Sequence, residues 1–217
     1  GLVTLAIFDD GVGMDKEGLI NAMKYGSKPR PSPASLGKFG LGLKTASTAF
    51  CRKLSVITRS KPSAPLLRAS WDLDHVKDTN KWELLFDEPS PQQAESFQKA
   101  IGAHSGTLVI WEKVDRLLKN YSNQSGAPAK KALAKFSDEL RMHLRTVYQR
   151  FLDPADARAR HLKMRLDGAD VLPWDPFCVT ASQVVSEDET EVELPGGNTS
   201  TFKMRAYVLP RKEEFST

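Results

Sequence analysis

Apolar residues along the chain follow two different periods, and the places where one gives way to the other outline the fold. Leu2–Phe8 (LVTLAIF) is a short strand-type run that stops at the turn-like cluster DDGVG. Asp15–Tyr25 is predicted to be a helix, because Leu19, Ile20 and Met23 share one face and Asp15 is placed to cap it. Leu41–Cys51 reads as a second helix. KLSVITR (Lys53–Arg59) alternates as a strand, Leu66–Leu73 as another, and Trp82–Phe86 as a shorter one. Ser90 followed by Pro91 opens a further helix in SPQQAESFQKAI, and TLVIWE (Thr107–Glu112) reads as a buried strand. Strands and helices mix too irregularly for a doubly wound parallel sheet, so the pattern predicts an α+β fold, a two-layer α/β sandwich.

After SNQSGAPAKK the character changes. Leu133, Phe136, Leu140, Leu144, Val147 and Phe151 recur at spacings of three and four, which predicts one long amphipathic helix. Asp167-Gly168 predicts a tight turn between two short strands, and TFKMRAYVL a late strand. The expected organisation is therefore a first domain over residues 1–125 and a second region over residues 126–217.

Composition narrows the function classes only a little. The 217 residues are 40% hydrophobic, enough for a substantial core, and no apolar run approaches the ~18 residues of a membrane span. A formal charge of +4 is compatible with a nucleic-acid partner without demanding one. Residues 129–165 hold ten Lys/Arg against four Asp/Glu, a candidate DNA-binding surface, although basic helices are usually only solvated faces. Cys51 and Cys178 have no metal-ligand spacing and read as buried free thiols in a reducing compartment, cytoplasmic or, in a eukaryote, nuclear. The chain opens inside a strand-like run without a methionine or signal peptide, so the expectation is an excised or partial domain. Trp71, Trp82, Trp111 and Trp174 sit in strand or turn contexts and are expected to serve packing.

Two clusters carry the chemistry. In FDDGVGM, Asp9 ends a strand and Gly11 and Gly13 leave an open surface beside it, where a carboxylate could accept a hydrogen bond from an exocyclic amine such as adenine's. A plain turn is the alternative. In SLGKFGLGLKTAS, Gly37, Gly40 and Gly42 lead into a helix whose bared N–H groups and dipole suit an anion, and Lys38 and Lys44 could add charge. Lys44 could equally be a solvated helix residue. Phe39, inside the cradle, is expected to anchor that loop to the core. The spacing is neither the P-loop nor the dinucleotide fingerprint.

The ordered series DDGVGM, LGKFGLG and SGT resembles the GHKL nucleotide-binding family of DNA gyrase B subunits, ninety-kilodalton heat-shock chaperones, sensor histidine kinases and MutL proteins, over Leu2 to Glu112. The resemblance implies a Bergerat-type ATP-binding fold. It implies that Asp9 binds the adenine amine, that Gly11, Gly13 and Met14 border the base, and that Thr107 completes its site. It implies an ATP lid over Ser27–Leu36, entered by Ser27 and Lys28. Gly37, Lys38, Phe39, Gly40, Leu41, Gly42 and Leu43, with Lys44 in second place, would then wrap the phosphates. The short lid, GLKTAS and the MHLRTVYQRFL…MRLDGADVLPWDPF stretch look most like the microrchidia-type and MutL-like branch, where a transducer-type second domain follows.

The family's water-activating glutamate and magnesium-holding asparagine lie on a helix expected upstream of Gly1, so no catalytic or metal residue is assigned in this chain. The expectation is a whole protein that uses ATP and Mg2+, with lid closure driving conformational change or an ATP-dependent homodimer, and DNA as a candidate partner. A histidine-kinase catalytic domain is an alternative, but His75, His104, His143 and His161 lack the context of a phospho-acceptor. A non-catalytic nucleic-acid-binding module is the other alternative.

Overall fold

A computed structural model describes residues 3–26, 39–211 and 213. Ser27, Lys28, Gly37, Lys38 and the whole lid segment lie outside the described residues. The chain divides into two compact units, residues 1–129 and residues 130–217.

The first unit is built on a five-stranded antiparallel sheet, the α+β sandwich expected from the sequence pattern. Its strands are β1 (Val3–Asp9), β2 (Cys51–Arg59), β3 (Leu67–Asp72), β4 (Leu85–Phe86) and β5 (Gly106–Val114), in the order β1-β5-β2-β3-β4. The last strand in sequence thus inserts between β1 and β2, which brings chain segments about a hundred residues apart into register. Leu54 and Val56 of β2 and Ala69 and Trp71 of β3 point to one face. They pack there against Leu19 and Met23 of α1 (Lys16–Met23), with Leu43 of α2 (Gly42–Phe50) beside them. The alternate residues Ile57, Leu108 and Ile110 point to the other face and meet Phe97 and Ile101 of a later helix, Pro91–Ile101. Burying these side chains is the main stabilising term, at roughly 1.5–3 kcal/mol for each large aliphatic or aromatic group.

Local chemistry explains the helix ends. The Asp15 side chain accepts from the Gly18 N–H at 2.8 Å, as the sequence predicts for an N-cap. Between β3 and β4 a short helix, α3 (Leu73–Thr79), is capped by Asp72 and ended by Asn80 in the left-handed region. The helix Pro91–Ile101, α4, carries a full capping box between Ser90 and Gln93.

The second unit begins within α5 (Ala127–Val147) and continues through α6 (Gln149–Leu152). The Asp167-Gly168 turn joins β6 (Arg165–Leu166) to β7 (Ala169–Asp170), with both turn residues at positive φ. A long ribbon follows, β8 (Gln183–Leu194) paired with β9 (Asn198–Val208). One of its faces carries Glu187, Glu189, Glu191 and Glu193 with Lys203 and Arg205. The other carries Val192, Leu194, Phe202 and Met204.

Three expectations need correcting. Phe39 is 82% exposed on a bend ahead of α2, so its ring is not anchored in the core. Trp174 is exposed, whereas Trp82, though exposed on one side, stacks on Trp71 at 5.1 Å and so serves packing as expected. Cys51 is buried and its thiol is pushed up to about 11 by desolvation, but Cys178 is only partly buried. Among the described residues, no helix is long and apolar enough to cross a membrane.

Candidate functional site

The sheet register sets the site. Asp9 pairs with Thr107, and Thr107 pairs with Thr58, so three polar residues form a row across β1, β5 and β2 at the end of the strands. Side chains paired across an antiparallel sheet point to the same face. Here that is the face covered further along by α1 and α2, as Leu54 and Val56 show by their contacts with α1. Asp9 is exposed; its Oδ1 accepts from the Gly11 N–H at 3.0 Å, which turns the carboxylate toward the glycine loop and leaves its second oxygen available.

The loop from Asp10 to Met14 is fastened at several points. Gly13 sits at φ +62°, and a β-carbon there would lie 2.0 Å from the Arg59 carbonyl oxygen. Only glycine permits that approach. The Met14 N–H donates to Thr58 Oγ1 at 2.9 Å, and the Ser105 hydroxyl donates to the Gly11 carbonyl at 2.9 Å. Gly106 is equally confined, since a β-carbon would lie 2.4 Å from the Asp9 carbonyl oxygen. Arg59 braces the neighbouring turn, donating to the His104 carbonyl at 3.0 Å through Nε while its guanidinium lies over the Phe97 ring at 5.2 Å. The loop is therefore a rigid rim rather than a loose connection.

The second glycine cluster opens the helix α2. Its N-cap, Leu41, offers no side-chain hydrogen bond to the first-turn N–H groups. Among the described residues, nothing lies within 4 Å of a β-carbon built on Gly42. Packing among those residues does not require the glycine. The hydroxyls that follow bond back to the helix's own carbonyls: Thr45 donates to the Leu41 carbonyl at 3.0 Å, Ser47 to Leu43 at 2.6 Å and Thr48 to Lys44 at 2.9 Å.

Lys44 is not the solvated residue that one reading of the sequence expects. It is 2% exposed, and its Nζ donates to the Ala22 carbonyl at 3.0 Å and to the Gly40 carbonyl. Burial lowers its pKa. The ammonium thereby ties the end of α1 to the glycine segment ahead of α2.

Strong electrostatics elsewhere does not mark a second site. Lys113 and Arg52 grip Asp74 and hold its carboxyl down at about 2, at the end of β2 remote from Thr58. Among the described residues, no group of three or more His, Cys, Asp or Glu is placed to hold a metal ion. In the second unit, the basic segment is largely engaged by its own neighbours. Arg141 donates to the Leu166 carbonyl at 2.8 Å and Arg145 to that of Leu172 at 3.0 Å, while Lys135, Arg158, Lys163 and Arg165 form ion pairs.

The sequence pattern identifies Asp9, Gly11, Gly13, Met14 and Thr107, and the fold brings them to one strand end. It does not identify Thr58 or Arg59. The available signal for Thr58 is a hydroxyl at an inward position of an otherwise apolar alternation, Leu54, Val56, Thr58.

Residues 3–107 match the family model described as histidine kinase-, DNA gyrase B- and HSP90-like ATPase. The match supports the GHKL superfamily for this segment, which contains the whole row of Asp9, Thr107 and Thr58. No curated protein matches the chain.

Proposed function

We propose that the GHKL-type segment of residues 3–107 binds ATP, with the adenine at the end of β1 and the phosphates at the start of α2. The observation that carries this reading is the row Asp9–Thr107–Thr58, held in register on the same sheet face that α1 and α2 cover. Asp9 receives the exocyclic amine on its free oxygen, Gly11, Gly13 and Met14 border the ring, and Thr107 closes the site. Main-chain N–H groups between Gly37 and Leu43 receive the phosphates, aided by the helix dipole, and Ser27 and Lys28 stand at the entrance to the lid. Phe39 borders the cradle. Lys44 acts indirectly, by holding the Gly40 carbonyl and so the path of the loop. Mg2+ would accompany the triphosphate and neutralise part of its charge; no residue here is assigned to it.

In the whole protein the reading extends to ATP hydrolysis coupled to lid closure and homodimerisation, in the microrchidia-type and MutL-like branch. Contacts to the γ-phosphate would supply the differential affinity that such closure requires. DNA is the proposed substrate of that motion. In the second unit, Lys130, Lys131 and Arg160 are the cations that no neighbour engages among the described residues. Phosphate contacts through them would give an affinity that falls steeply with salt.

Titration of ATP into the chain, with and without Mg2+, followed by calorimetry and light scattering, tests the reading. Saturable binding is expected, with nucleotide-dependent association in the full-length protein. Absence of saturable ATP binding contradicts it.

A further inference from the structure

Thr58 is fully buried, and its Oγ1 meets three groups. The Met14 N–H lies at 2.9 Å, the Gly106 carbonyl oxygen at 3.0 Å and Thr107 Oγ1 at 3.3 Å. A hydroxyl has one proton and two lone pairs, which makes the bookkeeping determinate. The Met14 amide can only donate, so it occupies one lone pair. The Gly106 carbonyl can only accept, so it takes the proton; otherwise two buried oxygens would face each other with no hydrogen between them. One lone pair remains, and the contact with Thr107 then requires Thr107 to be the donor.

The Thr107 proton is therefore committed to Thr58, and the Thr107 oxygen keeps only acceptor capacity. Asp9, directly opposite Thr107 in the register, is an acceptor as well when ionised. A ligand edge that reaches both meets two acceptors and no hydroxyl donor. We propose that Thr58 is a positioning residue that fixes Thr107 as a hydrogen-bond acceptor, so that the site selects a purine bearing a 6-amino group over one bearing a 6-carbonyl group. This inference rests on the nucleotide reading given above. A 6-amino group has a hydrogen for each acceptor, whereas a 6-carbonyl oxygen has none and the N1–H that accompanies it satisfies one acceptor at most, the kind of mismatch that discriminates far better than a change in shape.

The experiment compares ATP with inosine triphosphate, both with Mg2+, by equilibrium binding to the full chain. The proteins are the wild type and the variants Thr58→Val, Thr58→Ser and Thr107→Val. Wild type should prefer ATP. In Thr58→Val the Thr107 hydroxyl is released to donate, and the ATP preference should fall about tenfold, whereas Thr58→Ser should hold it within about twofold. Thr107→Val should lose the preference to a similar extent, and adding Thr58→Val to it should change the ratio no further. A merely structural role would weaken both nucleotides equally and leave the ratio unmoved, which overturns the inference while the nucleotide reading stands. Should Thr58→Val fail to fold, an unchanged ratio in Thr107→Val overturns it in the same way. A wild type that binds neither nucleotide overturns the nucleotide reading and this inference with it.

Discussion

The backbone of Gly13 lies against that of Arg59, so that a β-carbon on Gly13 would stand 2.0 Å from the Arg59 carbonyl oxygen. The contact joins the loop after β1 to the end of β2, two strands away in the sheet. It makes the rim of the proposed base site part of the sheet's own packing.

Gly13→Ala is accordingly expected to be costly. The new methyl group meets backbone, which cannot rotate away, and the residue is held at positive φ. A loss of roughly 1–3 kcal/mol in denaturant unfolding is expected, together with weakened ATP binding. Wild-type stability in this variant would show that the loop is not held as described.

Gly42→Ala is expected to behave in the opposite way. Its β-carbon meets no atom of the described residues within 4 Å at the start of α2, and alanine favours helix over glycine by up to about 1 kcal/mol. Stability should stay level or rise, while ATP affinity falls about tenfold because the methyl group occupies ground the phosphates need. Thermal unfolding and calorimetry on one preparation separate the two effects.

Lys44 gives a pH dependence with a definite sign. Burial lowers its pKa from the ordinary 10.5, so between the lowered value and 10.5 the unfolded chain binds more protons than the folded one. The stability that Lys44 contributes therefore rises with pH across that window. Lys44→Met removes the donor to the Ala22 and Gly40 carbonyls and should cost about 1–3 kcal/mol at neutral pH. The wild type's advantage should widen as pH approaches 10.5. An advantage that stays constant with pH would contradict this.

Much of the first unit is legible in the sequence because its signals are local. Asp15 and Ser90 announce their helices by capping chemistry, and the structure shows both caps. The alternation of Lys53–Arg59 is a strand because its two faces are filled from α1 and α4. Helix α3 gives no such signal, since LDHVKDT is short and polar and depends on Asp72 and on the left-handed Asn80. Strand β8 is hidden for another reason. Its alternating glutamates carry no apolar face to bury, and the strand is held by its pairing with β9. The site divides along the same line. Asp9 and the glycines announce themselves by type and spacing, whereas Thr58 matters through register with residues about fifty positions away. Lys44 looks like a surface cation until α1 is folded over it.

The central claim is that the Asp9 carboxylate receives the amine of adenine. Asp9→Asn keeps an oxygen for the Gly11 N–H and, at an exposed position, should leave the fold intact. Calorimetric titration of wild type and Asp9→Asn with ATP and Mg2+ measures the claim directly. The account predicts an affinity lower by about 1.5–3 kcal/mol in the variant, the usual worth of a hydrogen bond to a charged group. Equal affinities in the two proteins would contradict it.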